Sequence, residues 1–204
     1  MHVTARLFTS GRHIGWAAWP ALAALALTPL ALVAHSYKFA IDDQILYIPV
    51  LLRRLDPNLY PGDYFFVNQP QASISLFEDV MMWPVRWLGL DWAMFVAYLV
   101  VQWAILLAFY WLAQCLTGRK ASAALAMVLF ILPVSVGGTL ARTYDNYLNP
   151  RTMMLPLGLL ALVALAQRRM GWAALLAGSQ LLLHPLSGIY PWLTTAVLLA
   201  WWIW

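Results

Sequence analysis

Two adjacent carboxylates, Asp42 and Asp43, are the side chains best suited to acid–base chemistry. They follow a long apolar run and stand just before a segment with helical apolar spacing, so we expect them at a membrane surface. A carboxylate at a partly desolvated surface can have a raised pKa, which suits a general base. The same pair also suits the start of the following helix, where a carboxylate caps backbone N–H groups. The sequence leaves both interpretations open.

Four basic side chains are candidates for binding an anion such as a phosphate: Lys38, Arg142, Arg151 and His184. Cationic and hydrogen-bonding groups of this kind stabilise a phosphate that leaves with negative charge. His184 could instead shuttle a proton. Arg151 equally fits a side chain that snorkels at a helix end, and His184 fits an interfacial residue ahead of Pro185.

The other polar residues have structural explanations. Asp56 and Asp63 enclose a stretch rich in Pro, Asn and Gly, which is typical of turns. Ser75-Leu-Phe-Glu78 has the spacing of a capping box, so Glu78 is expected to bond the start of a helix rather than act in catalysis. Three further residues fit a solvated loop and a contact with a sugar equally well: Tyr144, Asp145 and Asn146.

The composition is that of a membrane protein. Apolar residues make up 63% of the 204 residues and charged residues only 10%, whereas soluble domains carry about a quarter charged residues. The single cysteine, Cys115, excludes an internal disulfide framework and a cysteine-based zinc site. The 12 basic residues report membrane topology, so we expect no nucleic-acid partner.

Uncharged runs of the length of membrane helices occur repeatedly. The first covers residues 14–34. A polar segment, 35–91, follows and holds seven of the eight acidic residues. Five further apolar runs then complete the sequence: 92–118, 121–141, 152–167, 170–183 and 186–204. The sequence thus predicts an all-α fold, a polytopic transmembrane helix bundle of about six segments in one domain. Because the last run reaches Trp204 without a polar flank, we expect the N-terminal part of a longer chain.

Basic residues orient these runs. Arg6 and Arg12 precede the first run, and two further basic pairs, Arg119/Lys120 and Arg168/Arg169, lie between later runs. All fall on the cytoplasmic side if the N-terminus is cytoplasmic, as the positive-inside rule requires. Residues 35–91 are then an extracytoplasmic loop of a multi-pass inner-membrane protein. The fourth and fifth runs are short, and we expect two short spans beside a water-filled outer cavity.

The outer loop contains two predicted amphipathic helices. Between Gln44 and Leu55, apolar residues recur at helical spacing, which indicates a helix lying on the membrane. A second helix is expected to open at Ser75. Its apolar residues also lie on or near one face: Leu76, Phe77, Val80, Met81 and Val85. Both would be juxtamembrane helices of a loop that begins with the acidic pair.

This layout resembles the C-type integral membrane glycosyltransferases, a superfamily that includes oligosaccharyltransferases, mannosyltransferases and aminoarabinose transferases. Shared features are the first span, the large outer loop that opens with an acidic pair, the juxtamembrane helices and the closely linked later spans. Short motifs are similar to those of uncharacterised bacterial membrane proteins of the same type: Ile41-Asp-Asp-Gln44 through Leu55-Asp-Pro-Asn-Leu-Tyr-Pro-Gly-Asp63, Asn149-Pro-Arg151 and Leu183-His-Pro-Leu-Ser-Gly188.

The resemblance implies transfer of a sugar from a polyprenyl-phosphate donor to an acceptor on the extracytoplasmic face. An acidic residue of the first loop is catalytic in that superfamily, and the matching positions are Asp42 and Asp43. Membrane lipid and a lipid-linked sugar are the expected partners, with a membrane-protein partner as a further option. No residue is assigned as a metal ligand, and a divalent metal requirement stays open. The alternatives are a transporter subunit and a non-catalytic assembly or scaffold subunit.

Overall fold

A computed structural model describes residues 18–67, 75–134 and 145–203 of the chain. Every regular element in these ranges is a helix, as the composition predicts. We number them α1 to α9 along the chain: Ala18–His35, Gln44–Leu55, Tyr64–Val67, Phe77–Leu88, Leu90–Thr117, Lys120–Leu129, Pro150–Ala166, Met170–Leu183 and Pro185–Ile203.

Two helices in the described ranges have the length and apolar composition needed to cross a membrane. These are α1, with 18 residues, and α5, with 28 residues. At about 1.5 Å of rise per residue they extend about 27 Å and about 42 Å, against a hydrocarbon core of about 30 Å. Three shorter helices, α6, α7 and α8, are also apolar.

Local sequence explains where the helices end. Gly118 follows α5 with φ of 70°, a left-handed conformation that a glycine adopts without steric cost, and its N–H bonds the carbonyl of Gln114 at 2.8 Å. Asn149 caps α7, accepting the N–H of Thr152 at 2.7 Å, and Pro150 occupies the first helical position. The third apolar run is shorter as a helix than predicted. α6 ends at Leu129, shortly before Pro133, and the remainder of that run, 135–141, lies outside the described residues.

The longest helix is the centre of the packing. α5 contacts α1, α4, α6 and α7, while α7, α8 and α9 pack on one another. One apolar cluster joins α2, α4 and the first half of α5, and a second joins α1, α6 and the second half of α5. At one end of the bundle, the link before α2 is bonded to the link before α7, and the link before α4 is bonded to the end of α8. We call this the acidic end.

The opposite end carries two basic pairs. The Cys115 side chain, near the end of α5, lies close to the Gln167 side chain, which follows α7. Arg119/Lys120 and Arg168/Arg169 come directly after these two helix ends. The chain therefore alternates in direction through α5, α6, α7 and α8, and the two described basic pairs share one end.

Both juxtamembrane helices form, but a large part of each predicted apolar face is buried in the protein. Ile48 and Leu51 of α2 are buried together with Phe77, Met81 and Val85 of α4. The reason is that α2 packs on α4, so each helix covers the other's apolar face. Ile45, by contrast, is 63% exposed. The expectation that α2 lies with this face against lipid is therefore wrong.

The prediction of a capping box at the start of α4 is also wrong. The helix begins at Phe77, and the Ser75 hydroxyl accepts the Phe77 N–H at 3.1 Å while donating to the Leu183 carbonyl at 2.7 Å. Neither carboxylate oxygen of Glu78 has a hydrogen-bond partner, although the side chain is fully buried. Ser75 therefore ties α4 to the end of α8 instead of forming a reciprocal cap with Glu78.

Candidate functional site

The link before α7 carries the best-defined polar contacts of the acidic end. Asp145 receives two bonds of 2.8 Å from Nη2 of Arg151, one to each carboxylate oxygen, and one of 3.3 Å from Nε. Asn149 and Thr152 donate to Asp145 Oδ2 at 2.8 Å and 3.2 Å. An Arg held through several such bonds is fixed in direction as well as in charge. No described residue accepts from its Nη1, and the Arg151 side chain is 47% exposed.

The link before α2 is joined to the same region by backbone bonds. Lys38 N–H donates to the Asn146 carbonyl at 2.8 Å. Gln44, which is fully buried, receives the Ala40 N–H at 2.7 Å and donates to the Leu148 carbonyl at 2.9 Å. These bonds place the start of α2 beside the start of α7, although the two are far apart in sequence.

Asp43 is the N-cap residue of α2, yet its side chain makes no capping bond. The capping interpretation of this carboxylate therefore lacks its hydrogen bond. The side chain is exposed, and its negative charge acts on Tyr47, Tyr147, Arg151 and His184. Asp43, Arg151 and His184 therefore lie within electrostatic range of one another.

Asp42 differs from its neighbour. Its φ of 47° is left-handed, which Asp tolerates better than most residues. Its carbonyl accepts the Ile45 N–H at 3.1 Å, while its side chain is exposed. Since Asp43 and not Asp42 acts on the groups named above, the two members of the acidic pair are not equivalent.

His184 forms the one-residue corner between α8 and α9. Burial lowers the pKa of its imidazole, the Arg151 guanidinium lowers it further, and the Asp43 carboxylate partly opposes both effects. The ring is therefore neutral near pH 7. A neutral imidazole suits hydrogen bonding or proton transfer better than binding phosphate through charge.

Two tyrosines complete the surroundings. Burial raises the pKa of Tyr147 to about 12, with Asp145 and Asp43 adding to the effect. Burial also raises the pKa of Tyr47, and the carboxylates of Asp43 and Glu78 add to that, while Arg151 opposes it. Both hydroxyls therefore stay protonated and can donate hydrogen bonds to an anionic or sugar ligand.

The remaining predicted anion ligands are elsewhere or not described. Lys38 is exposed and lines a separate cleft of about 450 Å³ with Ala34, His35, Ser36, Pro133, Val134 and Asn146. Arg142 and Tyr144 lie outside the described residues. In the part of the chain that is described, no group of three or more His, Cys, Asp or Glu residues could hold a metal ion.

The sequence did not predict the surroundings of three of these groups. Asp145 and Asn146 fitted either a solvated loop or a contact with a sugar; both are buried, and Asp145 orients Arg151. The Asn149-Pro150 pair does indicate the start of a helix. The sequence does not show that Asp145, four residues before this cap, turns back onto the first turn of the helix. Tyr47 was part of an apolar periodic segment and carried no separate signal.

The chain was compared with family models, with curated proteins and with solved structures, and none of the three comparisons gives a match.

Proposed function

We propose that this chain is an integral membrane glycosyltransferase that transfers a sugar from a polyprenyl-phosphate donor to an acceptor on the extracytoplasmic face. One observation carries the proposal: a carboxylate without a capping bond, an oriented guanidinium and a neutral imidazole converge at one end of an apolar helix bundle. Asp43 is the base, Arg151 binds the donor phosphate, and His184 hydrogen-bonds the reacting groups.

The chemistry follows from these roles. Asp43 takes the proton of the acceptor hydroxyl, whose oxygen attacks the anomeric carbon of the donor sugar. The bond between that carbon and the phosphate oxygen breaks, and polyprenyl phosphate leaves with the electron pair. Arg151 stabilises the charge that develops on the phosphate through its Nη1, since Asp145 occupies its other donors.

The surface of the bundle supports a membrane setting for this site. Large apolar side chains are exposed along α1, α5, α6, α8 and α9, where water would penalise them. They include Leu22, Leu25, Val33, Val100, Leu125, Leu175 and Val197. A multi-pass arrangement covers this surface with lipid, and it places the acidic end where a lipid-linked donor presents its phosphate.

The test compares two matched variants, Asp43→Asn and Asp42→Asn. Asparagine keeps most of the N-cap preference, so both proteins should accumulate in membranes at normal levels. Transfer is measured in proteoliposomes with a panel of undecaprenyl-phosphate monosaccharides and membrane-extracted acceptors. Loss of a general base typically costs about 10²–10⁴ in rate, so Asp43→Asn should lose that much while Asp42→Asn stays within a few-fold of wild type.

Binding of undecaprenyl phosphate, measured on the same proteins, separates the remaining alternatives. Full transfer by Asp43→Asn at normal abundance would show that the carboxylate is structural. Binding without transfer by the wild-type protein would instead support a non-catalytic subunit, and the absence of both would remove the lipid phosphate from the proposal.

A further inference from the structure

One face of α4 is apolar but packs on none of the described helices. Its opposite face, with Phe77, Met81 and Val85, is buried against α2 and α5. The outward face repeats at helical spacing, and its apolar members are all exposed: Leu76, Val80, Trp83 and Trp87, at 42%, 50%, 71% and 75%. We call these four residues the tryptophan face. A helix with two apolar faces needs a second covering layer.

The chemistry of this face identifies what covers it. Two indole rings, of Trp83 and Trp87, lie side by side with their centroids 6.4 Å apart. Arg86, also exposed, stands beside them on the same helix. Indoles combine a large apolar ring with one N–H donor, so they concentrate at the boundary between lipid headgroups and acyl chains. A guanidinium at that level pairs with lipid phosphate.

The other charge on this side of α4 is already paired. Asp79 forms an ion pair with Arg54 of α2, which offsets its negative charge, while the exposed Asp91 lies beyond α4, in the first turn of α5. The tryptophan face also adjoins an exposed apolar surface on the next helix. Trp92, Val96 and Val100 are exposed on α5, which begins one residue after α4 ends.

We infer that the tryptophan face, with Arg86, is a lipid-binding surface that seats α4 in the headgroup layer of the outer leaflet. The proposal rests on the membrane setting proposed above and not on glycosyl transfer. It divides the apolar residues that the pattern placed on or near one face, because Leu76 and Val80 belong to the tryptophan face while Phe77, Met81 and Val85 are buried in the protein. Seated in this way, α4 holds the acidic end at headgroup depth, since Ser75 and Leu76 bond the last residues of α8 beside His184.

Spin labelling tests this orientation directly, because the chain has a single cysteine. In a Cys115→Ser background, labels are attached at Trp83→Cys and Trp87→Cys. Two exposed reference positions are labelled in parallel: Asp56→Cys in the polar turn after α2, and Leu25→Cys in α1. Accessibility to oxygen and to an aqueous nickel chelate is measured in vesicles of phosphatidylethanolamine and phosphatidylglycerol.

We expect labels at 83 and 87 to have an oxygen-to-nickel accessibility ratio well above that at 56 and below that at 25. A ratio equal to that at 56 would place the face in water and overturn the proposal. Low accessibility to both reagents would mean that protein covers it, either a second copy or another segment, and would also overturn it. An aqueous value at 25 would instead contradict membrane insertion itself, which distinguishes the two failures.

A charge variant tests the headgroup contact. Arg86→Gln should reduce the nearby labels' depth in vesicles that contain phosphatidylglycerol, and it should have a smaller effect in vesicles of phosphatidylcholine alone, where choline balances the charge of the phosphate. The matched control is Arg53→Gln on α2, whose guanidinium lies over the Phe66 ring, 4.8 Å from its centroid. Equal effects of the two substitutions would show that Arg86 makes no specific contact with lipid phosphate.

Discussion

At the scale of single residues, the acidic end illustrates what sequence can and cannot predict. The positive-inside rule predicts that Asp43, Arg151 and His184 lie on one side of the membrane, because the rule needs only charges and apolar runs. It does not predict which of two adjacent carboxylates faces the other groups. That depends on the left-handed backbone at Asp42 and on the hydrogen bonds of Gln44, which tie the start of α2 to Leu148.

Asp145 shows a different limit. Its sequence neighbourhood is typical of a solvated loop, and only the fold reveals that four donors from Asn149, Arg151 and Thr152 surround the carboxylate. The contacts are all within eight residues along the chain, but they require the link to bend back over the first turn of α7. Spacing alone does not encode that bend.

Glu78 provides the prediction at this scale. Burial raises the pKa of its carboxyl from 4.5 to about 7, and Asp79 adds to this, while the dipole of the nearby Glu78 backbone amide and the charge of Arg54 oppose it. The folded state therefore binds more protons than the unfolded state between these two pKa values. By linkage, stability falls as the pH rises from about 4.5 to about 7 and then levels off.

We expect Glu78→Gln to raise the thermal stability of the detergent-solubilised protein above pH 7, by about 1–3 kcal/mol, because the variant removes the cost of burying an unpaired charge. The gain should shrink as the pH is lowered toward 4.5. Asp79→Asn, on the same helix but exposed and ion-paired with Arg54, should show no such gain. A benefit of Glu78→Gln that does not vary between pH 4.5 and 8 would contradict the linkage.

At the scale of elements, apolar periodicity predicted that α2 and α4 are helices, and the bounds of α2 agree with the pattern. The period does not say what covers an apolar face. Two amphipathic helices can each lie on a membrane or cover one another, and the second arrangement is the one observed. For α4, the two Trp residues outside the buried face were the available signal for a second surface.

The α8–α9 corner depends on close approach between two helices. A Cβ on Gly188, in the first turn of α9, would lie 2.8 Å from the backbone carbon and oxygen of Gln180. Backbone atoms cannot move aside as a flexible side chain can, so a larger residue must push the two helices apart. His184 stands at their junction, and its position depends on the same contact.

Gly188→Ala should therefore destabilise the protein by about 1–3 kcal/mol, the usual cost of forcing extra atoms into a packed contact. Gly178→Ala is the matched control on α8, where a Cβ would meet nothing within 4 Å. There alanine should stabilise the helix by up to about 1 kcal/mol. Thermal unfolding of both variants in the same detergent checks the opposite signs, and two equal shifts would show that the corner is not tightly packed.

At the scale of the whole molecule, the helices were predictable from apolar runs, but their lengths were not. α7 and α8 have 17 and 14 residues, or about 26 Å and about 21 Å of helix. Both are shorter than a hydrocarbon core of about 30 Å. An uncharged run marks the extent of apolar sequence, whereas a helix ends where its backbone finds a cap, as at Asn149 and His184.

The last prediction is the number of crossings between α5 and α8. Arg119/Lys120 and Arg168/Arg169 share the end opposite the acidic residues, so we expect both pairs in the cytoplasm and the turn after α2 outside. In a Cys115→Ser background, Asn58→Cys should react with a membrane-impermeant maleimide on intact cells. Ala121→Cys and Gly171→Cys should react only after the cells are permeabilised.

The three positions are chosen to keep the fold and the topology signal intact. All three are exposed, a Cβ on Gly171 would meet nothing within 4 Å, and no basic residue is replaced. Reaction at 58 and 121 from the same side would mean that α5 does not cross. Reaction at 171 from outside, with 121 protected, would mean that α7 and α8 form no pair of short crossings. Arg168 and Arg169, which link the two helices, would then lie on the same side of the membrane as the acidic end. That result would contradict the helix packing, which puts them at the opposite end.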